Sequence, residues 1–197
     1  MRWSMALLAL VAVTATPATA QWHVGFEIST THYRRSSRDT ANSGGPDTFR
    51  PADATQLGVR VDRAVGRARL GLRASYASVG LTAAGPGLVL IDNSTGQLLE
   101  GQLLANFQVV GIGSSGAIRA EVGPSLHLWK SGDELRSRAG AVAAAAYEWP
   151  VTNRFAGAIR LEGTMSKSWF DAGDLPPEYK RQATLRYGVG LGLRYRL

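Results

Sequence analysis

The chain reads as all-β: an eight-stranded antiparallel up-and-down transmembrane β-barrel behind a cleaved signal peptide. Three observations predict this. Eight segments alternate apolar and polar residues with period 2, charged side chains in the strand cores keep off the apolar face, and long connections mostly alternate with short ones. After the first twenty residues no stretch approaches the roughly 20 apolar residues of a membrane helix. A mature chain that crosses a bilayer must then do so as a closed barrel, because only closure pairs every backbone group.

Residues 1–20 are expected to be the signal peptide. Arg2 supplies a positive start, Met5 to Val13 an apolar core, and Ala18-Thr19-Ala20 the small-x-small cleavage pattern before Gln21. Residues 21–197 form the barrel.

Segment 22–33 sets Trp22, Val24, Phe26 and Ile28 against His23, Glu27 and Ser29. Segment 55–62 sets Leu57, Val59 and Val61 against Gly58, Arg60 and Asp62, and 67–78 sets Ala68, Leu70, Leu72, Ala74 and Tyr76 against Arg67, Arg69, Arg73 and Ser75. In 98–109, Leu99, Leu103, Ala105, Phe107 and Val109 oppose Glu100, Gln102, Asn106 and Gln108. Segment 117–129 opposes Ile118, Ala120, Val122, Leu126 and Leu128 to Arg119, Glu121, Ser125 and His127, with a bulge expected at Pro124, which cannot donate to a ladder. Ala139 to Trp149 at odd positions face away from Arg138 and Glu148. In 155–169, Phe155, Ile159, Leu161, Met165 and Trp169 point outward and Arg160, Glu162, Thr164 and Ser166 inward. The final run places Leu185, Tyr187, Val189, Leu191, Leu193, Tyr195 and Leu197 opposite Thr184, Arg186, Gly188, Gly190, Gly192, Arg194 and Arg196.

Connections arbitrate between a membrane barrel and a soluble secreted β-sandwich, since alternation fits both. Long connections are expected at Arg34–Ala54, Val79–Gln97 and Phe170–Gln182, a charged loop at Lys130–Ser137, and short turns at Arg63–Gly66, Val110–Gly116 and Pro150–Arg154. The composition of Ser36 to Asp53 leaves the first loop's conformation open. Trp22, Phe107, Tyr147, Trp149, Phe155 and Tyr195 gather at the short-turn end, and Tyr76 and Trp169 at the other, as two aromatic girdles would.

No cysteine is present, which excludes disulfides and thiolate chemistry. Lys and Arg number 22 against 15 Asp and Glu, but with no basic run and no recognition motif, so nucleic acid is not an expected partner. Gly111-Ile112-Gly113-Ser114-Ser115-Gly116 matches a dinucleotide fingerprint by letters, yet a strand rather than a helix follows, so the match reads as a turn. His23, His32 and His127 lack metal-site pairing, and no cofactor is expected. Asn93-Ser94-Thr95 reads as loop composition. Ser125 and His127, followed by Asp133 and Glu134, are raw material for an acyl hydrolase, but the register points them into the lumen.

This pattern over residues 21–197, with the closing Leu191, Leu193, Tyr195-Arg196-Leu197, resembles the small outer-membrane β-barrels of the OmpA/OmpX-like superfamily. Leu197 departs from the Phe with which that family usually ends. The resemblance implies architecture and a bacterial outer-membrane location, with lipid and lipopolysaccharide as surroundings and barrel-assembly machinery as a partner during biogenesis; a monomer is expected. The resemblance carries no catalytic motif.

An eight-stranded barrel is only wide enough for its own side chains to fill. The inward charged set is Glu27, Arg60, Arg67, Arg69, Arg73, Glu100, Arg119, Glu121, Arg138, Glu148, Arg160, Glu162, Arg186 and Arg194. Buried charges this dense are expected to interlock as ion pairs and close the lumen, giving a structural or interaction role exercised through four surface loops. A narrow solute channel or hydrophobic-ligand carrier, and a lipid A-modifying enzyme, are the alternatives.

Overall fold

The computed structural model describes residues 22–41, 44–66, 68–85, 88–113, 115–171 and 173–197. The expected signal peptide lies outside the described residues, and so does Arg67. Among the described residues every regular element is a strand: β1 (Trp22–Asp39), β2 (Thr48–Pro51), β3 (Ala54–Val65), β4 (Ala68–Gly85), β5 (Leu88–Ile112), β6 (Gly116–Ser131), β7 (Glu134–Pro150), β8 (Phe155–Ser166) and β9 (Tyr179–Arg196). Eight of them close a ring in chain order, with β1 pairing both β3 and β9 and β4 pairing β5, while the short β2 lies alongside the outer part of β4. All pairings are antiparallel. Each of the eight expected segments lies on its own ring strand, with 155–169 running past the end of β8 at Ser166.

The ring is inside-out relative to a soluble fold. Leu72 on the exterior is 64% exposed, whereas Arg60 on the interior is 1% exposed. Phe26, Val59, Leu103, Leu161 and Leu191 join Leu72 in an exposed apolar belt. Such a surface, on a sheet with no free edge around its girth, is stable in lipid rather than water. The soluble-sandwich alternative is thereby set aside.

The start of β1, the end of β9 and three short turns share one end of the barrel, here the terminal end. Gly66 (φ 60°) occupies a left-handed position there that a side chain would strain. Aromatic rings crowd its rim: Tyr147 stacks on Trp149 at 5.7 Å, Phe155 meets Tyr195 at 5.0 Å, and the Arg63 guanidinium lies 5.5 Å from the centre of the Trp22 ring. Trp149 is paired with Gly157 in the β7–β8 ladder, and its indole fills the space a Cβ would take there.

Four expectations are corrected. Val79–Gln97 is a hairpin rather than a loop, because β4 and β5 keep pairing far past the belt. Lys130–Ser137 is likewise a tight turn at Gly132 (φ 57°), flanked by strand on both sides. Pro124 causes no register shift: it pairs with Ala141 across β7, and the β5–β6 register is the same on either side of it. β8 ends at Ser166, so Trp169 turns inward and is 6% exposed, leaving Tyr76 and Tyr187 as the exposed rings nearer the loop end.

Candidate functional site

Alternation delivers one inward side chain from every second residue of each ring strand, and these meet at the barrel axis. Nearest the terminal end, Glu148 on β7 accepts from Arg69 at 2.9 Å, from Arg119 at 3.0 Å and from Arg194. One layer up, Glu121 accepts from Arg160 at 2.7 Å and from Asn106 at 2.6 Å, and forms an ion pair with Arg60 at 2.7 Å. Arg60 also donates to Asp62 at 2.7 Å, and Arg73 donates to Glu27 at 2.7 Å. Nearest the loop end, Arg186 bridges Glu100 at 2.6 Å and Glu162 at 3.2 Å, and Arg160 reaches Glu162. Gln102 and Gln56 donate to Glu100 at 2.8 and 3.3 Å.

The structure therefore brings together twelve of the fourteen residues named from sequence; Arg67 is outside the described residues, and Arg138 stands apart. Asp62, Asn106, Gln56 and Gln102 join the network although sequence reasoning did not single them out; all four lie on the inward register, which is the signal that could have found them. With Asp62 counted, seven arginines face six carboxylates among the described residues. The two signs are thus nearly balanced along the lumen. Charges so buried persist because each has partners in fixed geometry.

Arg138 is at the loop end. It donates to the Ser168 carbonyl at 2.7 Å and the Trp169 carbonyl at 3.3 Å, and pairs with Asp171 at 2.9 Å. This clamp holds the segment 167–178, which drops Trp169 and Phe170 into the mouth. There they meet Tyr33, Trp129, Leu98, Val79, Ala77 and Ala54 in an apolar stopper above the ion pairs, with Trp129 and Trp169 ring centres 5.5 Å apart. The break in alternation at Lys167-Ser168 is the only sequence trace of this turn inward. At the terminal end a cavity of about 290 Å³, lined in part by His23, Arg69, Arg119 and Glu148, ends against the Glu148 cluster.

Ser125 and His127 do point inward and touch, with the hydroxyl 3.0 Å from Nε2. Glu100 approaches that same nitrogen at 3.4 Å. A hydrolytic triad needs the acid on the opposite ring nitrogen, so the base cannot be oriented toward serine here. Glu134 of the adjoining turn pairs instead with Arg136. Gly111 and Ile112 end β5 and Gly116 opens β6, the two strands pairing Gly111 with Ala117 and Ile112 with Gly116, so a hairpin and no helix stands at this motif.

Outside the barrel wall two carboxylates anchor the loops. Asp53 accepts from His32 Nδ1 at 2.8 Å, from the Tyr33 N–H at 3.1 Å and from Arg50 at 3.1 Å. Partial burial pushes its carboxyl up, but these bonds outweigh it and hold the group below the usual range. Asp174 is also held below that range: burial opposes, and the hydrogen bond and charge of Arg136 prevail.

No family model and no curated protein matches this chain in sequence. Solved structures do. Neisserial surface protein A (NspA) superposes with a TM-score of 0.58 at 8% identity, covering 89% of this chain and 97% of that one. The N-terminal β-barrel domain of Pseudomonas aeruginosa OprF matches with a TM-score of 0.47 at 13% identity over 89% and 99% of the two chains. Ail, the attachment invasion locus protein of Yersinia pestis, gives 0.45 at 10% identity over 90% and 99%. At these identities the likeness is one of fold, carried by NspA. Together with the apolar belt and the charged interior, it gives this chain the architecture of the small outer-membrane β-barrels of the OmpA/OmpX-like type.

Proposed function

We propose that the chain is a plugged barrel of the bacterial outer membrane, acting as a monomer through the surfaces at its loop end rather than as a pore or an enzyme. The terminal end faces the periplasm, and lipopolysaccharide and phospholipid surround the belt. The observation that supports this reading is the filled lumen: three layers of interlocked ion pairs beneath a stopper of aromatic and aliphatic side chains. A permeant solute would have to separate buried arginines from their carboxylates, at several kcal/mol for each charge stranded.

The test joins two measurements on the refolded mature chain. In SDS gels without boiling, a closed barrel migrates faster than the boiled chain. In planar bilayers, the plug predicts no step conductance above background. Regular conductance steps would overturn the plug and establish the channel alternative, and a chain that folds without detergent and shows no heat shift would overturn the membrane placement.

A further inference from the structure

Above the belt the barrel wall is incomplete on one flank. The β7–β8 ladder starts at Gly140 opposite Ser166, and the β8–β9 ladder ends at Ser166 opposite Thr184. Residues 134–139 of β7 and 179–183 of β9 therefore have no strand between them. Residues 167–171 and 173–178 lie over this gap and leave a cleft of about 870 Å³. Phe170, Leu175 and Ala183 give it an apolar wall, and Lys167, Lys180 and Arg181 stand around it.

These three cations are exposed, and among the described residues none makes an ion pair or a side-chain hydrogen bond. That sets them apart from Arg138 on the same cleft, which is committed to Asp171 and two carbonyls. Asp171, the cleft's one carboxylate, is taken by Arg138 and by Arg136 at 3.5 Å. Arg35 and Arg38 on β1, opposite Leu185 and Lys180, continue the unpaired band.

Position gives the band its meaning. Lys167 directly follows the last residue of β8, two positions past the outward Met165, and Arg181 lies two outward positions beyond Leu185 on β9; Met165 is exposed as part of the belt. The cations stand where the apolar surface stops, which is the headgroup layer of the leaflet. An apolar wall beside unpaired cations at that height matches an amphiphile whose anionic group is uppermost.

Resting on the membrane placement above, we propose that the cleft between β7 and β9 holds the phosphorylated headgroup of an outer-leaflet glycolipid, with part of an acyl chain against Phe170 and Leu175. Lys167, Lys180 and Arg181 contact the phosphate.

Purified mature barrel in a nonionic detergent, titrated with diphosphoryl lipid A and read by native mass spectrometry, tests this. The wild type should retain one lipid, and lipid A stripped of its phosphates should not be retained. The triple variant K167Q/K180Q/R181Q should bind about a hundredfold more weakly, from roughly fivefold per cation at a membrane surface. K130Q, on the neighbouring β6 and outside the cleft lining, should leave binding unchanged. Wild-type retention should also fall as ionic strength rises, which reads the same charges without any substitution. Equal retention by the triple variant, equal binding of the dephosphorylated lipid, or complete displacement by inorganic phosphate would each overturn the proposal, the last by marking a small-anion site. The unboiled gel band keeps the two readings apart: its absence in the wild type sinks the barrel placement, and its presence without lipid retention sinks only the cleft.

Discussion

Glu121 is 1% exposed and holds Arg60 and Arg160 from two other strands. Glu121→Ala would leave both guanidiniums short of a carboxylate in a buried site, although Arg60 keeps Asp62 and Arg160 keeps Glu162, and is expected to destabilise the barrel by about 3 kcal/mol in urea unfolding from lipid bilayers. A loss under about 1 kcal/mol would mean the network fills space without holding the strands. The exposed Arg50–Asp53 pair, by contrast, contributes at most about 1 kcal/mol. Asp174 makes a different prediction. Its carboxyl is depressed by Arg136, so its grip on the segment 167–178 is present above the ordinary carboxylate range and lost as pH falls through the depressed value. Amide-exchange protection of that segment should hold from neutral pH to about pH 4 and fall below it, while Asp174→Asn should lower protection even at neutral pH. Protection that ignores both changes would show that the Asp174–Arg136 pair does not hold the segment. The lumen residues were legible in the sequence because each lies on a face fixed by alternation. Their partners were not, since pairing depends on how far neighbouring strands are staggered, which no single segment records.

At the scale of the strand, the segments that cross the belt were legible and their extensions were not. Within the lipid one face must be apolar, so Leu70-Gly71-Leu72-Arg73 announces its register. Above it both faces meet water, the pattern lapses, and Val79–Gln97 reads as loop although it pairs as strand. Trp169 was misplaced for the same reason: two polar residues after Ser166 end the ladder, and continuing the count carried the ring to the wrong side. The Gly123–Pro124 pair shows how a ring strand accommodates proline. Gly123 brings its Cα so close to β5 that an added Cβ would sit 1.7 Å from the Leu103 carbonyl oxygen, whereas one added at Gly101 would meet nothing within 4 Å. Gly123→Ala is expected to cost about 1–3 kcal/mol by forcing the two strands apart, and Gly101→Ala to change stability by less than about 0.5 kcal/mol. Equal effects in the same unfolding assay would refute the close approach.

For the molecule as a whole, one ring serves two media: lipid outside, and an interior whose charges answer one another closely enough to need little water. Two kinds of closure act in series, ionic through the middle and apolar at the loop mouth, so removing Trp169 and Phe170 alone would still leave the carboxylate–guanidinium layers in place. The ring also has one joint unlike the rest. Seven of its eight interfaces join strands adjacent along the wall in chain order, separated by a turn or a short excursion, while β1 meets β9 across nearly the full length of the chain. That joint shifts register twice, between Tyr33 and Arg35 and between Arg35 and Ser37. Local hairpins close quickly because little chain entropy is lost in each, and the distant joint must wait until both termini are brought to one place. The barrel is thus a row of hairpins with a single late fastening, and the arch that carries Trp169 and Phe170 immediately precedes the last strand to be fastened. Sealing the wall and corking the mouth become one event in assembly.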